Sequence, residues 1–246
     1  MTWVGRRLSP AVLLFALVAC SGPNHETLPR ATVPGVAPQP ASEQAVDLTN
    51  NLVATARSAV LSIHDSPGGR ASEELTNPTP DGGPRVLRVV RDAGQWLEVS
   101  LAGRPNGRTG WVSAGDVNLA VSSWHLVVEL GRHRLSLFQG PVLLGTYPVG
   151  VGAAVTPTPT GTYYLTDLLR PPKPDGAYGP YAFGLSAYST VLTSFGGGPG
   201  QIGLHGTDDP TSVGRTVSHG CLRITNALIT QLAYELPLGT PVVITR

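Results

Sequence analysis

The segment from His205 to Arg223 reads HGTDDPTSVGRTVSHGCLR, and the rest of the chain is best understood from it. It contains Cys221, which follows a Ser-His-Gly triplet, and a second His-Gly pair begins at His205. A thiol is a useful nucleophile only as thiolate, so it needs a nearby base and a polar setting. Two imidazoles close in sequence to one thiol predict a nucleophilic cysteine with either His205 or His219 as its base.

The residues directly before the cysteine predict a second element of a reactive site. Thr216 to Gly220 form a loop whose backbone N–H groups can point at a reacting carbon, and Gly220 has no side chain to block them. Backbone donors aimed at a developing negative charge are the layout of an oxyanion hole.

At these residues the chain resembles the L,D-transpeptidases of bacterial cell walls. Their signature is an upstream His-Gly or His-Ser, an intervening stretch, then Ser/Thr-His-Gly-Cys, an aliphatic residue and usually Arg. The segment from His205 to Arg223 matches that pattern completely, and the run from Thr156 to Gly161 resembles the family's strand-entry loop. The resemblance covers about residues 122–246.

The resemblance implies a role for each residue of the motif. Cys221 would be the nucleophile and His205 the proton acceptor and donor, oriented by the backbone carbonyl of Gly206. The backbone around His219, Gly220 and Cys221 would form the oxyanion hole.

Four further residues have expected roles with alternatives left open. Ser218 is expected to support the loop by hydrogen bonding. Arg223 would anchor either a carboxylate of the donor peptide or the loop itself. Tyr181 and Phe183 are expected to line a substrate groove, with core packing as the alternative.

The reaction implied by the resemblance is acyl transfer in peptidoglycan. The thiolate would attack the third residue of a tetrapeptide stem, release the terminal D-Ala and pass the acyl group to a diamino acid amine of a neighbouring stem. Carbapenem β-lactams are expected inhibitors. No cofactor is expected, because a metal site of Cys221, His219 and His205 lacks a fourth ligand.

Three other functions remain open at this point. The same site would act as an L,D-carboxypeptidase with water as acceptor, or would attach a protein amine to the wall. The third alternative is a non-catalytic, wall-binding lipoprotein.

Composition excludes one large class of partner. Charged residues make up 13% of the 246 residues and the net charge is +1, so the chain has no electrostatic footprint for nucleic acid. The 30 glycines and 23 prolines indicate many turns and extended segments, which favours a β-rich protein over a helical bundle.

The N-terminal region is typical of an exported lipoprotein. Residues 1–19 read as a signal peptide, with a positive pair at Arg6 and Arg7 and a short apolar run, and Leu17 to Ser21 resembles a lipobox. Cys20 would then carry the lipid, and residues 20–45 would be a Pro/Ala-rich linker between the membrane and the domains facing the cell wall or periplasm. The alternative is an ordinary secretory signal.

Two domains are predicted after the linker. Residues 46–119 resemble bacterial SH3-like domains, which are small β-barrels used for binding or spacing, on the pattern around Trp96 and Trp111. Residues 122–246 are expected to form a mainly β, sandwich-like catalytic domain with one helix, Asn226 to Leu236, after the nucleophile. The loop at 170–180 is interpreted as either a lid or a disordered insertion.

Overall fold

The computed structural model describes residues 51–246. The expected signal peptide, the linker and the lipidation site Cys20 lie outside the described residues. Within the described part the chain is mainly β, as the sequence predicts, with one α-helix.

The first sheet has seven strands in the order β3-β2-β6-β5-β4-β1-β7. Alternating apolar residues build it: in β5, Leu97 and Val99 are fully buried while Trp96 and Glu98 are partly exposed, which confirms the predicted half-buried strand. The resemblance of this region to SH3-like domains stays a prediction. Its strands are β1 Leu52–Ala56, β2 Val60–His64, β3 Ala71–Thr76, β4 Val86–Asp92, β5 Trp96–Ser100, β6 Thr109–Ser113 and β7 Val117–Val121.

The second sheet has eight strands in the order β10-β9-β8-β17-β12-β13-β14-β16, and β11 pairs separately with β15. The predicted antiparallel meander at its start is confirmed, since β8, β9 and β10 are consecutive neighbours. Its strands are β8 Trp124–Glu129, β9 Arg134–Gln139, β10 Val142–Pro148, β11 Val151–Gly152, β12 Gly161–Leu169, β13 Ala182–Tyr188, β14 Gln201–His205, β15 Thr216–Ser218, β16 Leu222–Arg223 and β17 Pro241–Thr245.

Helix α1, Asn226–Glu235, follows β16 as predicted. The Thr225 hydroxyl caps its start by accepting a hydrogen bond from the Leu228 N–H at 3.2 Å. One face of the helix, including Ile229 and Leu232, is fully buried in the core of the second sheet. The helix therefore holds the chain in place just after the nucleophile loop.

The two sheets belong to one compact unit and share a side chain. Tyr164 lies on β12 of the second sheet, yet its ring is buried in the apolar cluster of the first sheet. Its hydroxyl donates to the Ser100 carbonyl at 3.2 Å, and Thr79 donates to the Asp167 carboxylate at 2.9 Å. Burial and hydrogen bonding therefore join the two sheets directly.

In residues 51–246, no helix is both long enough and apolar enough to cross a membrane.

Candidate active site

Two parallel strands bring the predicted thiol and imidazole together. Strand β14 ends at His205, and β16 lies beside it at the edge of the second sheet, with Leu222 opposite Leu204 and Arg223 opposite His205. Cys221 is the residue immediately before β16. The parallel pairing therefore places Cys221 beside Gly203, two residues before His205, although Cys221 and His205 are sixteen positions apart in sequence.

Gly203 lies between the two reactive side chains. Its N–H donates to the sulfur of Cys221 at 3.3 Å. A Cβ atom placed on Gly203 would lie 3.8 Å from that sulfur and 3.6 Å from Cδ2 of His205. Both groups thus face the same small space above the strand, with Gly203 contributing no side chain to it.

The His205 imidazole is held in one orientation by the next residue. Its Nδ1 lies 2.5 Å from the Gly206 carbonyl oxygen. A carbonyl only accepts, so Nδ1 carries the hydrogen and Nε2, bonded to Cδ2, keeps its lone pair. The ring is buried, and this burial lowers the pKa of His205 to about 4, although the Gly206 hydrogen bond acts in the opposite direction. The histidine is therefore a neutral base at physiological pH.

The thiol of Cys221 is the free cysteine of the described residues, and it is only partly exposed. Burial raises the pKa of this thiol above its ordinary value, while the Gly203 N–H and the positive charge of Arg223 lower it. In the resting state the thiol is therefore protonated, and a base must accept its proton when it attacks.

Ser218 shapes the loop that carries the cysteine. Its hydroxyl donates to the Cys221 carbonyl at 2.6 Å and accepts the Gly220 N–H at 3.1 Å. Gly220 itself has a φ of +118°, which side-chain-bearing residues rarely adopt. The serine thus sits where the sequence predicts a loop support, and the Gly220 N–H is directed into the loop.

Two buried threonines brace the same loop from the Pro/Thr-rich segment. Thr158 donates to the Gly220 carbonyl at 2.8 Å and accepts the Gly152 N–H at 2.9 Å. Thr156 donates to the Ser218 carbonyl at 3.1 Å. This segment, which resembles the family's strand-entry loop, therefore has a physical role: it fixes the backbone on either side of His219.

His219 points away from the buried imidazole. Its side chain is exposed and its ring stacks on Phe195, with the centroids 4.9 Å apart and the planes inclined by 29°. The spacing in sequence left either histidine available as the base. This geometry favours His205 as the base.

Tyr178 covers the histidine and was missed by sequence reasoning. It belongs to the loop at 170–180, and its ring lies 4.8 Å from the ring of His205. Burial, and then the neighbouring Cys221, raises the pKa of its phenol. The loop therefore contributes a residue that contacts the site, and its interpretation as a lid stays a prediction.

Gly179, at the end of that loop, packs closely against Gly206 and Asn226. Gly179 has a φ of +65°, and a Cβ on it would lie 2.7 Å from the Cα of Gly206 and would clash with the Asn226 side chain. Asn226 also accepts the Thr207 N–H at 2.8 Å. The covering loop is thus packed against the residue that orients the imidazole.

Arg223 lies near every ionisable group of the site. Its charge lowers the pKa of Cys221, of His205 and of Tyr178. Its backbone exchanges two hydrogen bonds with Gly150, at 2.8 and 2.9 Å. Its Nε atom is buried and has no hydrogen-bond partner among residues 51–246. The backbone of Arg223 therefore anchors the loop.

The substrate-groove assignment of Phe183 is wrong. Phe183 is 1% exposed and belongs to the core of the second sheet, because it faces inward from β13, a strand that the sequence analysis did not predict. Tyr181 is partly exposed, and its hydroxyl donates to that of Tyr234 at 3.2 Å. Its carbonyl accepts the Gly206 N–H, so Tyr181 lies beside the site.

No group of three or more histidine, cysteine, aspartate or glutamate residues in the described chain is placed to hold a metal ion.

Comparisons with known proteins identify a family. A family model described as YkuD, L,D-transpeptidase catalytic domain, matches residues 123–244. The YkuD protein of Bacillus licheniformis is 34% identical over 170 residues, which cover 66% of this chain and 94% of that protein. The YkuD protein of Bacillus subtilis is 36% identical over 123 residues, covering 50% of this chain and 66% of that protein, slightly under two thirds.

Solved structures give a weaker match. An L,D-transpeptidase from Mycobacterium smegmatis aligns at 17% identity with a TM-score of 0.41, covering 65% of this chain and 82% of that chain.

Proposed function

The chain belongs to the L,D-transpeptidase family, and from that premise we propose that it transfers peptidoglycan stem peptides through a thioester on Cys221. The observation that carries the proposal is the arrangement at Gly203. The sulfur of Cys221 and Cδ2 of His205, the ring carbon bonded to Nε2, face the same space beside Gly203. The hydrogen bond from Nδ1 holds the ring in the tautomer whose Nε2 can accept a proton.

In the first proposed step His205 takes the proton of Cys221 as the sulfur attacks the carbonyl carbon of the third stem residue. The C–S bond forms, and the carbonyl electrons collect on its oxygen. The N–H groups of His219 and Cys221 are the proposed donors to that oxyanion, since the Gly220 N–H is already directed at Ser218. Collapse breaks the C–N bond, and the imidazolium protonates the departing D-Ala amine.

In the second proposed step the side-chain amine of a neighbouring diamino acid attacks the thioester. A C–N bond forms and the C–S bond breaks, while His205 removes the surplus proton from the amine and passes it to the departing sulfur, which restores the thiol. Because the thioester conserves the energy of the original peptide bond, this exchange needs no nucleotide. The partly exposed guanidinium of Arg223 is proposed to bind the carboxylate of the donor stem.

The test incubates the full chain with a defined tetrapeptide stem and a separate amine acceptor, and separates the products by mass. The expected products are D-Ala and a cross-linked peptide. Cys221→Ala should give neither, because it lacks the thiol. A tripeptide with no cross-linked product would instead identify an L,D-carboxypeptidase. Cross-linking by Cys221→Ala at the wild-type rate would contradict the proposed nucleophile.

Carbapenem β-lactams provide a second, independent probe of the thiol. Their strained amide is open to attack by the same sulfur, so the intact mass of the wild-type chain should rise by the mass of one drug molecule. The mass of Cys221→Ala should not change. An unmodified wild-type chain would contradict the proposed acylation, and would favour the non-catalytic wall-binding alternative.

We also propose that the chain is an exported lipoprotein anchored through Cys20, with residues 46–119 as an SH3-like spacing or binding module. The support is the lipobox pattern of residues 17–21 and the pattern of short strands. Labelling with a lipid precursor in cells should mark the wild type and not Cys20→Ala. Equal labelling of the two would contradict the anchor.

A further inference from the structure

Arg104, in the loop between β5 and β6, donates hydrogen bonds to three backbone carbonyls of the connection between β13 and β14. Its Nε donates to Ser189 at 3.1 Å, its Nη1 to Pro199 at 2.8 Å and its Nη2 to Leu192 at 2.6 Å. All three acceptors lie between β13 and β14, in the connection at 189–200. A guanidinium suits this task because its donors are fixed in one plane, whereas an ammonium acts as a single point charge.

Asn106 adds a second attachment at the beginning of the same connection. Its side-chain amide donates to the Tyr188 carbonyl and accepts the Tyr188 N–H, both at 2.8 Å. It thus pairs with that backbone as a neighbouring strand would. The Arg104 guanidinium also lies 5.2 Å from the centroid of the Tyr188 ring.

Apart from Arg104 and Asn106, the connection is held mainly by hydrogen bonds of its own, including those from the Val191 and Leu192 N–H groups to the Ser189 hydroxyl at 3.2 and 2.9 Å. Val191 and Phe195 are exposed, so apolar burial does not hold its tip. Its own backbone closes at Ser189 with Gly200 and at Phe195 with Gly198. Between these two backbone pairs, the Leu192 carbonyl accepts its hydrogen bond from Arg104.

The same connection contacts the two loops beside the thiol. Phe195 stacks on His219, two residues before Cys221. A Cβ on Gly196 would lie 3.5 Å from the hydroxyl of Tyr178, the residue that covers His205. A chain of direct contacts therefore runs from Arg104 through the connection to both loops beside the sulfur.

We propose that Arg104 and Asn106 are positioning residues that hold the 189–200 connection as the wall of the substrate groove. The first sheet thereby sets how tightly the groove accepts a stem peptide, which rests on the function proposed above. The effect acts on binding more than on chemistry, because neither residue touches the sulfur or the imidazole.

Three variants test this role: Arg104→Ala, Arg104→Lys and Asn106→Ala, with Arg57→Ala as the matched control. Arg57 also makes two hydrogen bonds, to Asn118 and the Gly115 carbonyl, but both lie within the first sheet. Two readouts need no turnover: hydrogen exchange of backbone amides in 189–200, and the alkylation rate of Cys221 by iodoacetamide. Steady-state release of D-Ala supplies KM and kcat.

In Arg104→Ala we expect faster exchange in the connection, alkylation of Cys221 faster by about threefold, and a KM higher by about tenfold with kcat nearly unchanged. Arg104→Lys should resemble Arg104→Ala, because one ammonium cannot meet three carbonyls. Asn106→Ala should show a smaller change in the same direction, and Arg57→Ala none.

Wild-type exchange and alkylation in Arg104→Ala, or full rescue by Arg104→Lys, would overturn the proposal. If Arg104→Ala unfolds, Arg104→Lys and Asn106→Ala decide by the same two readouts. If the wild type itself releases no D-Ala, the proposed function fails, while exchange and alkylation still determine whether the connection is held by Arg104.

Discussion

The ring of Tyr178 lies 4.8 Å from the imidazole ring of His205, with the two planes inclined by 58°. This contact contributes to the burial that lowers the pKa of the histidine. In Tyr178→Ala water reaches the ring, so we expect the pKa of His205 to rise from about 4 towards its ordinary value of 6.5. An NMR titration of the imidazole measures the change.

Tyr234→Ala is the control for that variant. Tyr234 is 75% exposed and contacts Tyr181 rather than His205. It should leave the pKa of His205 where it is. The same imidazole titration curve in Tyr178→Ala and in the wild type would show that the covering ring contributes nothing to the burial.

Stability should decrease in mild acid because of the same histidine. With a folded pKa of about 4 and an ordinary value of 6.5, the unfolded chain binds the proton more tightly. The stabilising effect of neutral His205 is complete above pH 6.5 and is lost as the pH falls towards 4. The free energy of unfolding should fall by about 3 kcal/mol over that interval from this group, as measured by urea titration.

His205→Gln isolates this effect from that of other groups. The variant should lose stability less steeply between pH 6.5 and 4, although not become flat, since burial also lowers the pKa of His125. Identical slopes in the variant and the wild type would show that protonation of His205 does not limit stability.

The reactivity of the thiol should rise steeply with pH. Because burial raises the pKa of Cys221, little thiolate exists at neutral pH before substrate binds. The iodoacetamide rate should therefore still be increasing at about pH 9. Arg223→Gln should slow alkylation at neutral pH, since the Arg223 charge lowers that pKa. A rate independent of pH from 6 to 8 would instead indicate a preformed thiolate–imidazolium pair.

The two bracing threonines should differ in importance. Thr158→Val keeps the shape but removes a donor to the Gly220 carbonyl and leaves the Gly152 N–H without its acceptor. We expect a loss of about 2 kcal/mol in the free energy of unfolding and slower acylation of Cys221. Thr156→Val removes one bond and should cost about half as much. Equal losses in the two variants would contradict this account.

Sequence reasoning was most successful where chemistry restricts the residue type. A strand ending at His205, a glycine-containing loop before Cys221 and a helix from Asn226 follow from local pattern, and each is present. The close approach of the thiol and the histidine depends on β14 and β16 pairing in parallel across the intervening loop. That pairing is a tertiary event that was not predicted, and the resemblance to a family implied only that His205 and Cys221 act together.

Residues outside the motif were harder to foresee. Phe183 and Tyr181 are two positions apart and both aromatic, yet Phe183 is in the core and Tyr181 is partly exposed. The reason is that β13, which was not predicted, includes Phe183 but begins only after Tyr181. Tyr178 lies in a loop rich in proline and glycine, where no periodicity indicates which way a side chain points. The contacts of Arg104 join segments 85 to 95 residues apart, a separation over which local pattern carries no information.

The placement of Tyr164 has a consequence for dissecting the molecule. Tyr164 is a residue of the second sheet, but its ring packs in the apolar cluster of the first sheet. Cutting the polypeptide near Ser122 would leave a cavity in the amino-terminal fragment where the Tyr164 ring packs. It would expose that ring on the surface of the carboxy-terminal fragment. Neither fragment should behave as an independent domain in solution. A fusion of one fragment to another protein would have to provide an apolar cavity for that tyrosine.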